Sequence, residues 1–217
     1  MHVVEEGDPD ADRLAASIRT RMSGTDRAPD VRLAEGPAAQ AIMKTADRED
    51  AELLVIGSRG RGALRSVVLG SVSRELAARA RCPVVVVPSG ERWAKTPVGV
   101  DAANASVVCG VDGSDQALAA AALAGRLARR LGWRLVLVHA RQTWRAVAAY
   151  PGASATTPPL SGQEDRESAR LVMIAAQGVG TARAALLGSV AADLPVAAAR
   201  PLVVLTPAAA AVVRAGP

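Results

Sequence analysis

Phenylalanine is missing from this chain, and aromatic residues together make up 2% of its 217 residues. A core without large rings has to be filled by Ala, Val and Leu, which suits helices packed closely on a sheet. The same shortage weighs against nucleic-acid binding, where bases stack on aromatic platforms. Lysine is almost absent: Lys44 and Lys95 are the two in the chain, so the net charge of +5 is carried by arginine. Those arginines are scattered and form no recognition motif, so the positive balance reads as cations near a polyanionic small ligand. Cys82 and Cys109 are too few for a disulfide framework and lack metal-ligand spacing. Buried, reduced thiols in a cytosolic protein are the expectation. No apolar run approaches the roughly 18 residues of a spanning helix. Met1 to Glu6 lacks the basic and apolar regions of a signal peptide. A cytoplasmic protein with no membrane partner is predicted.

What the chain does contain is concentrated between Leu53 and Pro88. Leu53-Leu54-Val55-Ile56 opens the stretch and Val84-Val85-Val86-Val87 closes it. Such runs, β-branched and bounded by Gly or Pro, read as strands buried on both faces of a parallel sheet. Between them lie Gly57-Ser58-Arg59-Gly60-Arg61-Gly62 and a helical stretch carrying Val72, Leu76 and Ala80 at four-residue spacing. In a strand, glycine loop and helix N-terminus taken together, backbone N–H groups and the helix dipole can meet an anion. Gly57 and Gly60 suit a sharp turn and a close backbone approach, and Gly70-Ser71 would head the helix with unpaired amides and a hydroxyl. The glycine order matches neither a Walker loop nor the dinucleotide fingerprint.

The spacing G-x2-G-x9-G-[S/T], set in ELLVIGSRGRG, VLGSV and CPVVVVP, resembles the nucleotide-binding type of the universal stress protein family. The second half repeats the pattern. LLGSV at 186–190 lies 118 residues after VLGSV at 68–72, and Leu171-Val172-Met173-Ile174 lies 118 residues after the strand at Leu53. Gly178, Gly188 and Ser189 keep their places there, whereas Ala175 stands for the first glycine, and Gln177 and Val179 replace Arg59 and Arg61. Pro195 would interrupt the helix that follows.

Read in chain order, a helix from Asp8-Pro9 carries Leu14, Ile18 and Met22, a short strand follows at Val31-Arg32-Leu33, and a second helix carries Ile42, Met43 and Ala46. Residues 89–106 read as a linker, with Trp93 as a packing anchor. A new strand at 107–112 leads to a helix capped by Ser114 or Asp115, with Leu118, Ala122, Leu127 and Leu131 on its apolar face. Leu135 to Val138 and Leu202 to Leu205 are further strands. Residues 141–163 read as a loop, and Glu164 to Arg170 as a short helix. The fold class is α/β, an open parallel sheet with helices on both faces, as two incomplete repeats. The boundaries are 1–88, a linker 89–106, a second domain 107–207 and a tail 208–217.

The resemblance implies a five-stranded parallel sheet in the order 3-2-1-4-5, often in tandem repeats or dimers. It implies an adenine nucleotide, ATP with or without Mg2+, held by Gly57, Gly60, Gly70 and Ser71, and less completely by Gly178, Gly188 and Ser189. Asp112 would contact adenine from the end of a first strand, and Val138 would add backbone contacts from the second. Neither repeat is complete, since the better glycine loop lies in the half without that Asp. Two arrangements stay open. In one, the strands at 107–112 and 135–138 insert beside the first half and bring Asp112 to Gly57. In the other, 107–206 makes its own four-stranded sheet and 1–88 docks as a remnant. Two functions also stay open: a non-enzymatic, ATP-binding stress-response regulator, and a nucleotide-free scaffold self-associating through its terminal strands. No catalytic residue and no metal ligand is assigned. His139 lacks a Ser or Asp partner at triad spacing, and Glu164, Asp165 and Glu167 read as a solvated face.

Overall fold

Every apolar run named above except the one at Val31 becomes a strand, and the six strands form one sheet. The structure is a computed structural model and describes residues 9–22, 29–32, 34–58, 69–88, 105–139, 169–177 and 200–215. Its chain divides into two compact units, Met1–Ala51 and Glu52–Pro217.

The first unit holds α1 (Pro9–Arg21) and α2 (Ala38–Arg48). Val31 and Arg32 do not form the expected strand. Arg32 is held instead by the carboxylates of Asp30 and Glu49, an ion-pair arrangement that fixes an irregular backbone between the two helices.

The second unit contains β1 (Leu54–Gly57), α3 (Ser71–Arg79), β2 (Val84–Val87), β3 (Ser106–Gly110), α4 (Asp115–Leu131), β4 (Arg134–Val138), β5 (Ala169–Ala175), β6 (Leu202–Leu205) and α5 (Pro207–Ala215). The strand order is β1-β2-β6-β5-β3-β4. Four contacts are parallel: β1 with β2, β6 with β5, β5 with β3, and β3 with β4. The join of β2 to β6 is antiparallel, with Val84 opposite Val204 and Val86 opposite Leu202. The sheet is therefore mixed and mostly parallel, not uniformly parallel as expected. The strands from Ser106 to Leu205 form the contiguous four-stranded block of the second arrangement, and β1–β2 is added at its β6 edge.

Side chains from alternate strand positions fill two cores. One face buries Val85, Val107, Cys109, Met173, Val203 and Leu205 under α4 and α5. The other buries Val84, Val86, Ile174, Leu202 and Val204 with Leu69, Ala77 and Ala80 from the α3 region. Ser114 does cap α4, its hydroxyl accepting from the Ala117 N–H at 3.2 Å. Gly132 ends the helix in the left-handed region at φ 68°. The buried stripe of α4 is Ala117, Ala119, Ala120, Ala124 and Ala128, and of the expected face only Leu127 packs, half-buried, against the same core. Leu118 and Leu131 are exposed. Alanine wins because it lets the helix axis sit close over the bulky Val, Met and Leu side chains of the sheet, where larger residues would overpack.

Two ends differ from expectation. Ala169 and Arg170 belong to β5 and not to a helix, and residues 207–215 form α5, with Ala209 and Ala210 buried, where a tail was expected. Of the expected linker 89–106, Ala105 and Ser106 are buried and Ser106 opens β3, while 89–104, Trp93 and Pro195 lie outside the described residues.

Cys82 and Cys109 are free and buried. Burial pushes the Cys109 thiol up from 9.0 to about 11. The unfolded chain would release this proton first, so the stability it confers is complete below about pH 9 and drains away as pH rises towards about 11. Urea midpoints at about pH 8 and about pH 10.5 should therefore fall further in the wild type than in Cys109→Ala, by on the order of 1–2 kcal/mol. An equal fall in both would show that this thiol carries no such term.

Candidate functional site

The glycine-rich stretch of the first half leaves the sheet at Gly57 and enters α3 at Gly70, and two hydrogen bonds join these ends while a third ties Ser58 to β2. The Ser58 N–H donates to the Val87 carbonyl at 2.8 Å and the Gly70 N–H to the Ser58 carbonyl at 3.1 Å. The Ser73 hydroxyl donates to the Gly57 carbonyl at 2.8 Å. Gly57, Gly70 and Ser71 are thus assembled at the carboxyl end of β1. Ser58 and Ser73, both buried, hold the assembly closed and were not singled out from the sequence. A hydroxyl in the first turn of the predicted helix was the available signal for Ser73.

Gly70 is the N-cap of α3 and supplies no side-chain cap. The first N–H turned into the helix is that of Arg74, which donates to the Gly70 carbonyl at 2.9 Å. The amides of Ser71, Val72 and Ser73 meet no acceptor among the described residues, as expected for a first helical turn without a cap. Together with the positive end of the helix dipole they can receive phosphate oxygens. Gly60, Arg59 and Arg61 lie outside the described residues.

The second half repeats this frame. Leu54 N–H donates to the Pro83 carbonyl and Val172 N–H to the Pro201 carbonyl, both at 3.0 Å. Ser58 N–H to Val87 is matched by Ala176 N–H to Leu205 at 2.9 Å. Each pair differs by the 118 residues seen in the sequence. Gly178, Gly188 and Ser189 lie outside the described residues.

Asp112 follows β3, whose two neighbours are β5 and β4. Strand order reverses here, at the kind of crevice where open α/β sheets bind ligands. The arrangement that brings Asp112 to Gly57 does not occur. β1 and β3 are separated by β2, β6 and β5, roughly 19 Å of sheet at about 4.8 Å per strand. Their carboxyl ends also point in opposite directions, because the β2–β6 join is antiparallel. Asp112 lies instead by the carboxyl end of β5. Its Oδ1 accepts from the Ser114 N–H at 2.9 Å and the Ser114 hydroxyl at 2.7 Å, across a turn that Gly113 permits at φ 88°. The Val138 carbonyl accepts from Val111 N–H at 2.9 Å, and His139 Nδ1 meets the Val111 carbonyl at 2.9 Å. Among the described residues no cluster of three or more His, Cys, Asp or Glu could hold a metal, and no helix is long and apolar enough to cross a membrane.

The first half thus places the uncapped first turn of α3 beside Gly57, while β1, paired with β2 on one side, has no described strand on its other side and Val55 is 60% exposed. The second half has Asp112 in the crevice but Ala175 at the loop's first position.

Comparison with known proteins agrees with this frame. The model of the universal stress protein family matches residues 2–88 and 104–170. A universal stress protein of Mycobacterium tuberculosis is 45% identical over 91 residues, 42% of this chain and 29% of that protein. One from Mycolicibacterium smegmatis is 29% identical over 191 residues, 73% of this chain and 63% of the relative. This chain thus spans under a third of the first relative and under two thirds of the second. Among solved structures, a universal stress protein from Archaeoglobus fulgidus superposes with a TM-score of 0.60 at 18% identity, covering 90% of this chain and 75% of the other. A putative universal stress protein from Pseudomonas aeruginosa gives 0.55 at 14% identity, covering 97% and 84%. With the matched segments taking in most of its length and the sheet repeating its own register, the chain belongs to the universal stress protein family.

Proposed function

We propose that this chain is a cytoplasmic, non-enzymatic stress-response regulator that binds an adenine nucleotide, ATP, by its phosphates at the loop between Gly57 and Ser71. The observation that carries the reading is the junction of the segment's two ends. Ser58, Gly70 and Ser73 make that junction, and the amides of Ser71 to Ser73 head α3 without a side-chain cap. Binding there would be dominated by phosphate, since the base has no described strand to rest on. Purified protein should gain stability with ATP by about 2.7 kcal/mol at a hundredfold excess over Kd, visible as a higher melting temperature. Gly60→Val, which places a side chain in the expected phosphate path, should erase the gain. No shift with ATP, together with no adenine absorbance released on heating, would defeat this reading.

The second reading is a nucleotide-free scaffold self-associating through its terminal strands, and one observation bears on it. The final strands of the two repeats, β2 and β6, pair with each other, and each has its other edge filled by β1 or β5. That pairing leaves neither terminal strand a free edge for a second copy among the described residues, which weighs against this reading.

A further inference from the structure

At the amino ends of β3, β5 and β6 the sheet is irregular. Ser106 stands opposite Ala169 but Val107 opposite Leu171, so the register slips by one residue at Arg170, a break of the kind found beside binding sites. On the far side of β5, Val172 stands opposite Leu202, and its N–H donates to the Pro201 carbonyl at 3.0 Å. Arg200 is thereby brought level with Arg170, and both are half-buried. Burial, and then the charge of Arg170, lowers the pKa of the Arg200 guanidinium from its ordinary value. Val107 and Leu171 pack on the α4 face, so alternation along each strand sets Ser106 and Arg170 on the opposite face, side by side. Ser106 is 1% exposed, and its hydroxyl has no hydrogen-bond partner among the described residues. Buried hydroxyls are paired in the great majority of cases, and neighbouring like charges disfavour one another. An anion accepting from this hydroxyl and from both guanidiniums would relieve both conditions.

We propose that Ser106, Arg170 and Arg200 form a binding site for a phosphoryl oxyanion, distinct from the loop at Gly57. The antiparallel join sets the two places on the same rim of the sheet, but β5 lies three strands from β1, about 14 Å at the usual strand spacing. Geometry selects phosphoryl over carboxylate. One guanidinium fork occupies both oxygens of a carboxylate, whereas a phosphoryl group has oxygens left for the second guanidinium and the hydroxyl. Each arginine carries five N–H donors, so bonds to the protein leave others for the ligand.

The test titrates the full chain with inorganic phosphate, against sodium chloride of equal ionic strength, and follows calorimetry and thermal unfolding. Saturable binding and a rising melting temperature are expected. Arg170→Gln and Arg200→Gln should each weaken binding at least about tenfold. Ser106→Ala supplies a sign that a merely structural role would not give. Without phosphate it should melt at or above the wild type, since an unpaired buried hydroxyl is gone. With saturating phosphate it should melt below. Should an arginine variant fail to fold, Ser106→Ala and Arg200→Lys, which keeps the charge but loses the fork, carry the test. Gly60→Val, the test of the nucleotide reading, should keep the phosphate response, so the two readings can fail separately. Glycerol phosphate binding tighter than the free ion would assign the site to a phosphate monoester, and the reverse to phosphate itself. No saturation below about 10 mM, an equal response to acetate, or loss of the phosphate response in Gly60→Val would overturn the proposal. So would a Ser106→Ala melting shift that is the same with and without phosphate.

Discussion

Val204→Asp should leave the second unit without a cooperative unfolding transition at 25 °C. Val204 is fully buried at the middle of β6, opposite Val84 across the antiparallel join and Ile174 on the parallel side. A carboxylate there has no cation or donor in the surrounding cluster of Val84, Val86, Ile174, Leu202 and Ala77. Burying an uncompensated charge costs several kcal/mol, on the order of 4–5 or more, against a total stability of about 5–15 kcal/mol for a domain. Val204→Ala removes the packing without the charge and should retain a transition shifted by about 1–3 kcal/mol. Urea unfolding followed by far-ultraviolet circular dichroism distinguishes them. An Asp variant as stable as the Ala variant would mean that β6 does not lie between β2 and β5.

Thr206→Val carries the second large effect, and tests the join from its polar side. Thr206 is fully buried. Its hydroxyl donates to the Ala80 carbonyl at 2.6 Å, across 126 residues of sequence, and accepts from the Ala209 N–H at 3.0 Å to cap α5. One oxygen thus ties the end of the second repeat both to the end of α3 in the first and to its own final helix. Valine has nearly the same shape, so packing is kept while both bonds go. A lost cap costs about 1 kcal/mol, and a buried carbonyl left without a donor about 1–3 kcal/mol, so a loss of about 2–4 kcal/mol is expected. Thr206→Ser keeps both bonds and should lose less than about 1 kcal/mol. Equal losses in the two variants would assign the effect to the methyl group instead of the hydroxyl.

The strands were legible because each is a short apolar run bounded by Gly, Pro or charge. Burial on both faces accounts for that run in β2, β3 and β6, while β1 and β4, also apolar, leave alternate residues exposed. The helix caps at Ser114 and Gly70 were legible for the same local reason. The face of α4 was not. Its 117–125 segment is apolar nearly all round, and the choice between leucine and alanine depends on the bulk of the strands beneath, which lie far away in sequence. The same holds for the site: Gly57, Gly70 and Ser71 were readable from spacing, but Ser58 contributes mainly through backbone groups that no side-chain pattern marks.

The amino-acid order alone settled which segments pair locally, the 118-residue repeat and the family. Whether β2 would meet β6, and in which direction, was decided by the tertiary structure. Val84-Val85-Val86-Val87 and Leu202-Val203-Val204-Leu205 present apolar side chains on both faces, so neither register nor polarity is encoded in their alternation. Their antiparallel meeting turns the carboxyl ends of β1 and β3, and with them Gly57 and Asp112, to opposite sides of the sheet.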